Sequence, residues 1–136
     1  MAVIAIAAAA SPSGAGPRAP ARWTARPGTT VTADGALVGH VCCTGQLYAT
    51  RPLALPPAGG TIEVAARAPC GDGVAIGVRA GGTTAWATGP RGAAPFVGTV
   101  ALRVAAVTGP RELVVVVEGG LQCCGDARVE PARVAP

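Results

Sequence analysis

The 136-residue sequence contains no lysine and no asparagine, and its only serines are Ser11 and Ser13. Without lysine there is no Gly-Lys-Ser/Thr phosphate-binding loop. With both serines near the N-terminus, no Ser-His-Asp triad can assemble in the body of the chain. Aromatics are scarce too, limited to Trp23, Tyr48, Trp86 and Phe96. The net charge of +4 comes from arginines scattered between Arg18 and Arg133. A nucleic-acid binder concentrates its cations and interleaves them with stacking aromatics, so nucleic acid is not an expected partner. No Cys-x-x-Cys occurs, which argues against a zinc site. The apolar run Ala2 to Ala10 is nine residues long, well short of the roughly 20 needed to cross a bilayer. Membrane insertion is not expected.

What is present is apolar and small. Half of the residues are hydrophobic and 13% are charged, which excludes a disordered chain. Residues 1–28 read as a tail, Ala-rich at first and then Pro/Gly/Arg-rich with Trp23. The apolar run and the small residues Ala8-Ala9-Ala10 resemble a signal peptide and its cleavage site, although the basic start is missing. A secreted or cell-surface location is the expectation, and five cysteines in so short a chain agree with an oxidising compartment.

Strand signals begin at Thr29 and define a domain over 29–136. Ile62, Val64 and Ala66 alternate with Glu63 and Arg67, as in a half-buried strand. Val74, Ile76 and Val78 repeat the pattern, as do Val100, Leu102 and Val104. Leu113 to Val117 is apolar at every position, so both faces should be buried in a central strand. A last strand is expected over Asp126 to Val134, with Pro131 pointing to an edge. Gly/Pro/Asp turns separate these segments every 8–12 residues or so. The expected fold is an all-β, jelly-roll-like antiparallel β-sandwich of about eight strands.

From Leu53 to Val64 the chain runs strand, Pro-Pro-Ala-Gly-Gly turn, alternating strand. A Gly-rich hairpin over Cys70 to Gly82 follows, then a loop ending in Phe96, a strand through Leu102, and Val107 to Val115 as a turn and apolar strand. This layout resembles secreted jelly-roll carbohydrate-binding modules of the family 6 and family 35 kind. The resemblance implies a glycan ligand, with Phe96 at the place of a stacking aromatic. It also implies a structural calcium near Asp126, but Ala127 stands where an aromatic usually follows, and no early acidic ligands precede Thr30. No cofactor is therefore expected, and any metal ligands stay unassigned.

Sugar C–H faces are apolar and their hydroxyls need partners at the edges, so aromatics and short polar groups are the candidates. Phe96, Tyr48 and Trp86 are the candidate stacking residues, with Arg91, Asp72 and Gln46 as hydrogen-bonding groups. Trp86, between Thr84 and Ala87, fits a core position better than a platform. No catalytic residues are assigned: Glu112 and Glu118 bracket one strand and lie about 20 Å apart at about 3.3 Å per residue, beyond the reach of paired-carboxylate hydrolysis. The expected function is a non-catalytic module for glycans or a cell-surface ligand. The alternative is a structural or interaction subunit of an envelope or extracellular assembly, with self-association.

Cysteines at Cys42, Cys43, Cys123 and Cys124 form two vicinal pairs whose members face opposite ways in a strand. One or two disulfides joining the early pair to the late pair are expected, leaving Cys70 as a spare thiol. His40 and Cys42 share a face, and a surface histidine beside a disulfide is the reading that pattern favours.

Overall fold

The structure, a computed structural model, describes residues 22–42, 46–70, 73–90, 92, 94–106, 109–119 and 123–135. Where the expected alternation is cleanest, strands form over the expected residues. In chain order they are β1 (Thr24–Ala25), β2 (Thr29–Val31), β3 (Leu37–Val41), β4 (Gln46–Pro52), β5 (Gly59–Ala68) and β6 (Val74–Ala80). The remainder are β7 (Thr83–Thr88), β8 (Phe96–Ala105), β9 (Arg111–Glu118), β10 (Gly125–Val129) and β11 (Arg133–Ala135). The described residues contain no helix.

These strands form two antiparallel sheets packed as a sandwich. One is five-stranded in the order β1-β4-β9-β6-β7. The other is six-stranded: β8 pairs with one edge of β5, β11 and β10 share its other edge, and β3 and β2 follow β10. The uninterrupted apolar strand β9 lies between β4 and β6, as its sequence requires. The interior takes Leu47, Ile76, Leu113 and Val115 from one sheet and Leu37, Ile62, Val64 and Val129 from the other. No polar or charged residue is fully buried among the described residues.

Two expectations need correction at the chain ends. Strand pairing starts at Thr24, inside the segment read as tail, and Trp23 packs on the core with its indole Nε1 donating to the Gly35 carbonyl at 3.3 Å. The last expected strand is two strands. Pro131 has no N–H to donate, so the ladder ends with Glu130 N donating to Ala65 O, and the chain rejoins β5 further along as β11. Of the two, β10 is paired on both sides, whereas β11, which follows Pro131, pairs only with β5 and is an edge strand as Pro131 suggested.

Turn chemistry follows the residues. Gly81 and Gly82 both have positive φ (57° and 84°), which a two-residue hairpin matching the strand twist requires. Between β2 and β3, the Thr32 hydroxyl donates to Asp34 and accepts from the Ala36 N–H, while Gly35 N donates to Thr32 O. Arg128 reaches Asp34 from β10 at 3.2 Å and Glu130 at 2.7 Å.

Two disulfides close one end of the sandwich. The β3–β10 ladder sets Val41 opposite Gly125, which places Cys42 beside Cys124, and these are bonded with a Cα separation of 4.1 Å. Cys123 takes a different partner from the one expected. Pro69 packs against Gly125, so Cys70 arrives beside Cys123 and the two are bonded, 6.1 Å between Cα atoms. Cys70 is therefore not a spare thiol, and Cys43 lies outside the described residues.

Replacing Cys42 and Cys124 together by Ser removes a bridge with a sequence separation of 82 residues. Chemical denaturation should register a loss of about 4 kcal/mol on the chain-entropy estimate; an unchanged midpoint would show that the bridge contributes nothing. The Asp34 carboxyl is held below the ordinary carboxylate range by the Thr32 hydroxyl first, with Arg128 also lowering it. Its contribution is thus present above the unfolded-state pKa and disappears as pH falls through the lower folded value. An NMR titration of Asp34 should show a depressed midpoint that rises in Thr32→Ala.

Candidate functional site

On β4 the inward residues are Leu47 and Ala49, so Gln46, Tyr48 and Thr50 point outward. On β9 the same alternation turns Val114, Val116 and Glu118 outward, and on β6 it turns Ala75, Gly77 and Arg79 outward. Ala87 packs on the core, which sets Thr84, Trp86 and Thr88 outside on β7. The register then lays these residues in rows across the sheet. One row is Tyr48, Val116, Ala75 and Thr88; the next is Thr50, Val114, Gly77 and Trp86.

Trp86 is 50% exposed, so its placement corrects the reading as a core residue. Its indole lies over Gly77: a Cβ at that glycine would stand 2.8 Å from Cε3 and 2.9 Å from Cζ3. Only glycine leaves room for the ring to lie down on the sheet there. Between Trp86 and Tyr48 the outward residues are Gly77, Ala75, Val114 and Val116; Gly77 lies under the indole and Val114 is fully covered, so Ala75 and Val116 form the accessible floor. The short residues on β6 make a shallow trough, three strand spacings wide, or about 14 Å across.

Polar groups stand at both margins. The Arg26 guanidinium lies 3.9 Å from the centroid of the Tyr48 ring. Arg26 donates to Gln46 Oε1 at 2.8 Å, and Gln46 Nε2 donates to Glu118 Oε2 at 3.2 Å. This chain fixes the Gln46 amide and orients one carboxylate. At the opposite margin Arg79 and Glu112 form an ion pair, and Thr50, Thr84 and Thr88 add hydroxyls along the trough.

Of the six ligand-binding candidates read from the sequence, Gln46, Tyr48 and Trp86 thus share one face. Phe96 does not join them. It is 7% exposed, belongs to the core, and lies over Gly89 and Gly98. Its parity places it with Val100, Leu102 and Val104, and that shared phase outweighs its position at a loop end. Arg91 and Asp72 lie outside the described residues. Arg26 and Glu118 escape a reading of the sequence because neither is distinctive alone; only the β4–β9 register and the return of β1 along β4 bring them to Gln46.

Elsewhere, His40 and Asp126 form an exposed pair 3.3 Å apart across β3 and β10. Cys42 is held in its disulfide with Cys124. Among the described residues no three His, Cys, Asp or Glu side chains are grouped to hold a metal ion.

No family model matches the chain, and no curated protein matches its sequence. Among solved structures, it is similar to TmCBM61, a family 61 carbohydrate-binding module solved in complex with β-1,4-galactotriose. That match has a TM-score of 0.57 and 15% identity, covering 85% of this chain and 87% of the other. A second match is the C-terminal family 6 module of LamC from Zobellia galactanivorans. Its TM-score is 0.37 and its identity 13%, covering 81% of this chain and 91% of that one. The β-sandwich fold is the one that the family 61 module has.

Gly77→Ala should lift the Trp86 indole off the sheet. NMR should show the Trp86 indole N–H resonance displaced while that of Trp23 stays in place. An unmoved Trp86 resonance would mean that the ring does not depend on this glycine.

Proposed function

We propose that this protein is a non-catalytic carbohydrate-binding module that works in an oxidising, extracellular setting. Its glycan lies along the outer face of the five-stranded sheet. The observation that carries this reading is Trp86, half exposed and laid flat over Gly77 at one side of a small-residue trough. A sugar ring can place its apolar face on the indole, while its hydroxyls reach the threonines, Gln46 and the charged margins. Tyr48, with Arg26 stacked on it, closes the other side.

The acidic groups on this face argue for binding without hydrolysis. Glu112 and Glu118 lie at opposite ends of β9, engaged by Arg79 and Gln46 respectively. Six residues of strand separate them by about 20 Å, whereas glycoside hydrolysis needs two carboxyls about 5–9.5 Å apart. Two disulfides support the oxidising setting. The galactotriose held by the similar family 61 module makes short β-linked galactans the first ligands to try.

Titration calorimetry with β-1,4-galactotriose, followed by a glycan array, tests the reading. Saturable binding is expected, and Trp86→Ala should weaken it at least tenfold with the circular dichroism unchanged. A blank array from folded, oxidised protein would leave the structural-subunit reading, in which self-association replaces a glycan.

A further inference from the structure

Strand β8 is ten residues long and pairs on one side only, with β5. The register runs unbroken from Phe96 opposite Ala68 to Ala105 opposite Gly59, so no bulge bends the strand away. Among the described residues, no backbone group outside β5 bonds to residues 96–105. The other free edges are shorter: two residues at β1, three each at β2 and β11, and six at β7.

Long edges are ordinarily protected by proline, lysine, a bulge or an inward charge, because their open N–H and C=O groups are a template for another strand. Strand β8 has none of these. Its one charge is Arg103, and its other outward residues are Val97, Thr99, Ala101 and Ala105, all exposed. Val97 is 75% exposed, the most of any large hydrophobic residue described. The core is also thinly covered here. Phe96, Leu102 and Val104 retain 7%, 8% and 9% exposure, against 0% to 1% for Leu113, Val115 and Val117.

The chemistry that fits this edge is that of the same edge. Turned antiparallel about Ala101, the strand meets itself with outward residues opposite outward ones. Val97 stands opposite Ala105, Thr99 opposite Arg103, and Ala101 opposite its own copy. On the inner side Gly98 meets Val104 and Val100 meets Leu102, so apolar residues continue across the join. The single charge faces a hydroxyl, and only a methyl group stands on the axis, where identical side chains must meet. Centring on Arg103 instead would oppose like charges and pair only residues 101–105. We propose that the free edge of β8 is a homodimer interface, joining two six-stranded sheets into one about a two-fold axis through Ala101. That axis stands perpendicular to the sheet, so both five-stranded sheets lie on the same side and their outer faces point the same way. Dimerisation does not rest on the glycan reading; its consequence does, that two troughs address one polymer together and gain avidity.

Sedimentation velocity of the whole oxidised protein, from micromolar to millimolar concentration and without glycan, should show a monomer–dimer equilibrium. Hydrogen exchange should slow across residues 97–105 as the dimer fills. Thr99→Arg sets like charges opposite each other twice and should weaken the dimer at least tenfold. Thr99→Glu faces Arg103 of the other copy with a carboxylate twice and should tighten it at least threefold. Thr99 is exposed on the sheet that does not carry the trough, so both variants should keep the wild-type circular dichroism and galactotriose affinity. On immobilised galactan, Thr99→Arg should be retained less than the wild type. A monomer at every concentration, a dimer indifferent to both substitutions, or open-ended growth past the dimer would overturn the proposal. A blank galactotriose titration with the dimer intact would sink the outer-face site and leave this interface standing.

Discussion

Strand β9 must be covered on both faces, and the rest of the molecule is arranged around that need. Leu113 to Val117 offers no polar face to water, so only the middle of a sheet accommodates it. With β4 and β6 on its flanks, its inner residues meet the opposing sheet and Leu113, Val115 and Val117 are buried. Of its outer residues, Val116 contributes to the accessible floor of the trough. Val114 is fully buried although it points away from the core, and Val116 is half-buried. The apolar strand that organises the interior thus also supplies the surface against which Tyr48 and Trp86 are set.

The same alternation that builds the core decides which residues reach the outer face of the five-stranded sheet. On the outside, small residues on β6 let an indole lie down, and hydroxyls and charges are confined to the margins. On the inside, the hydrophobic phase of β4 and β9 runs into Arg51 and Arg111 at one end. A residue of the wrong chemistry in the right phase has nowhere else to go, because moving it outward by one position would expose every apolar neighbour. Arg51 and Arg111 are therefore consequences of register as much as Leu47 and Leu113 are.

Much of the fold is legible in the order of residues alone. The periods at Ile62, Val64 and Ala66 and at Val74, Ile76 and Val78 are local, since a period of two needs only a few residues to declare itself. Phe96 is legible as core for the same reason, because it shares the phase of Val100 and Leu102, and its position at a loop end is the weaker signal. Trp86 is harder. Thr83, Thr84, Ala85, Ala87 and Thr88 are small and nearly indifferent to burial, so its strand has no phase to read. Ala87 packing on the core puts the ring outside, and Gly77, nine residues earlier on the paired strand, gives it room to lie down. The cysteines fall between these cases: vicinal pairs in strands announce a bridge from early to late chain, but the arrival of Cys70 depends on how Pro69 packs beside Gly125.

Local residue order dictates the strands, most of the turns between them, the central place of Leu113 to Val117 and the exclusion of triad and phosphate-loop chemistry. Each of these follows from neighbouring residues and from backbone conformations that a few of them prefer. Which aromatic faces solvent, and which cysteines meet, is settled by tertiary packing. So is the joining of Arg26, Gln46 and Glu118 into one chain. Those facts depend on register between strands far apart in sequence. Register is set by burying both sheets' inner faces at once, a condition on the whole chain that no single segment carries.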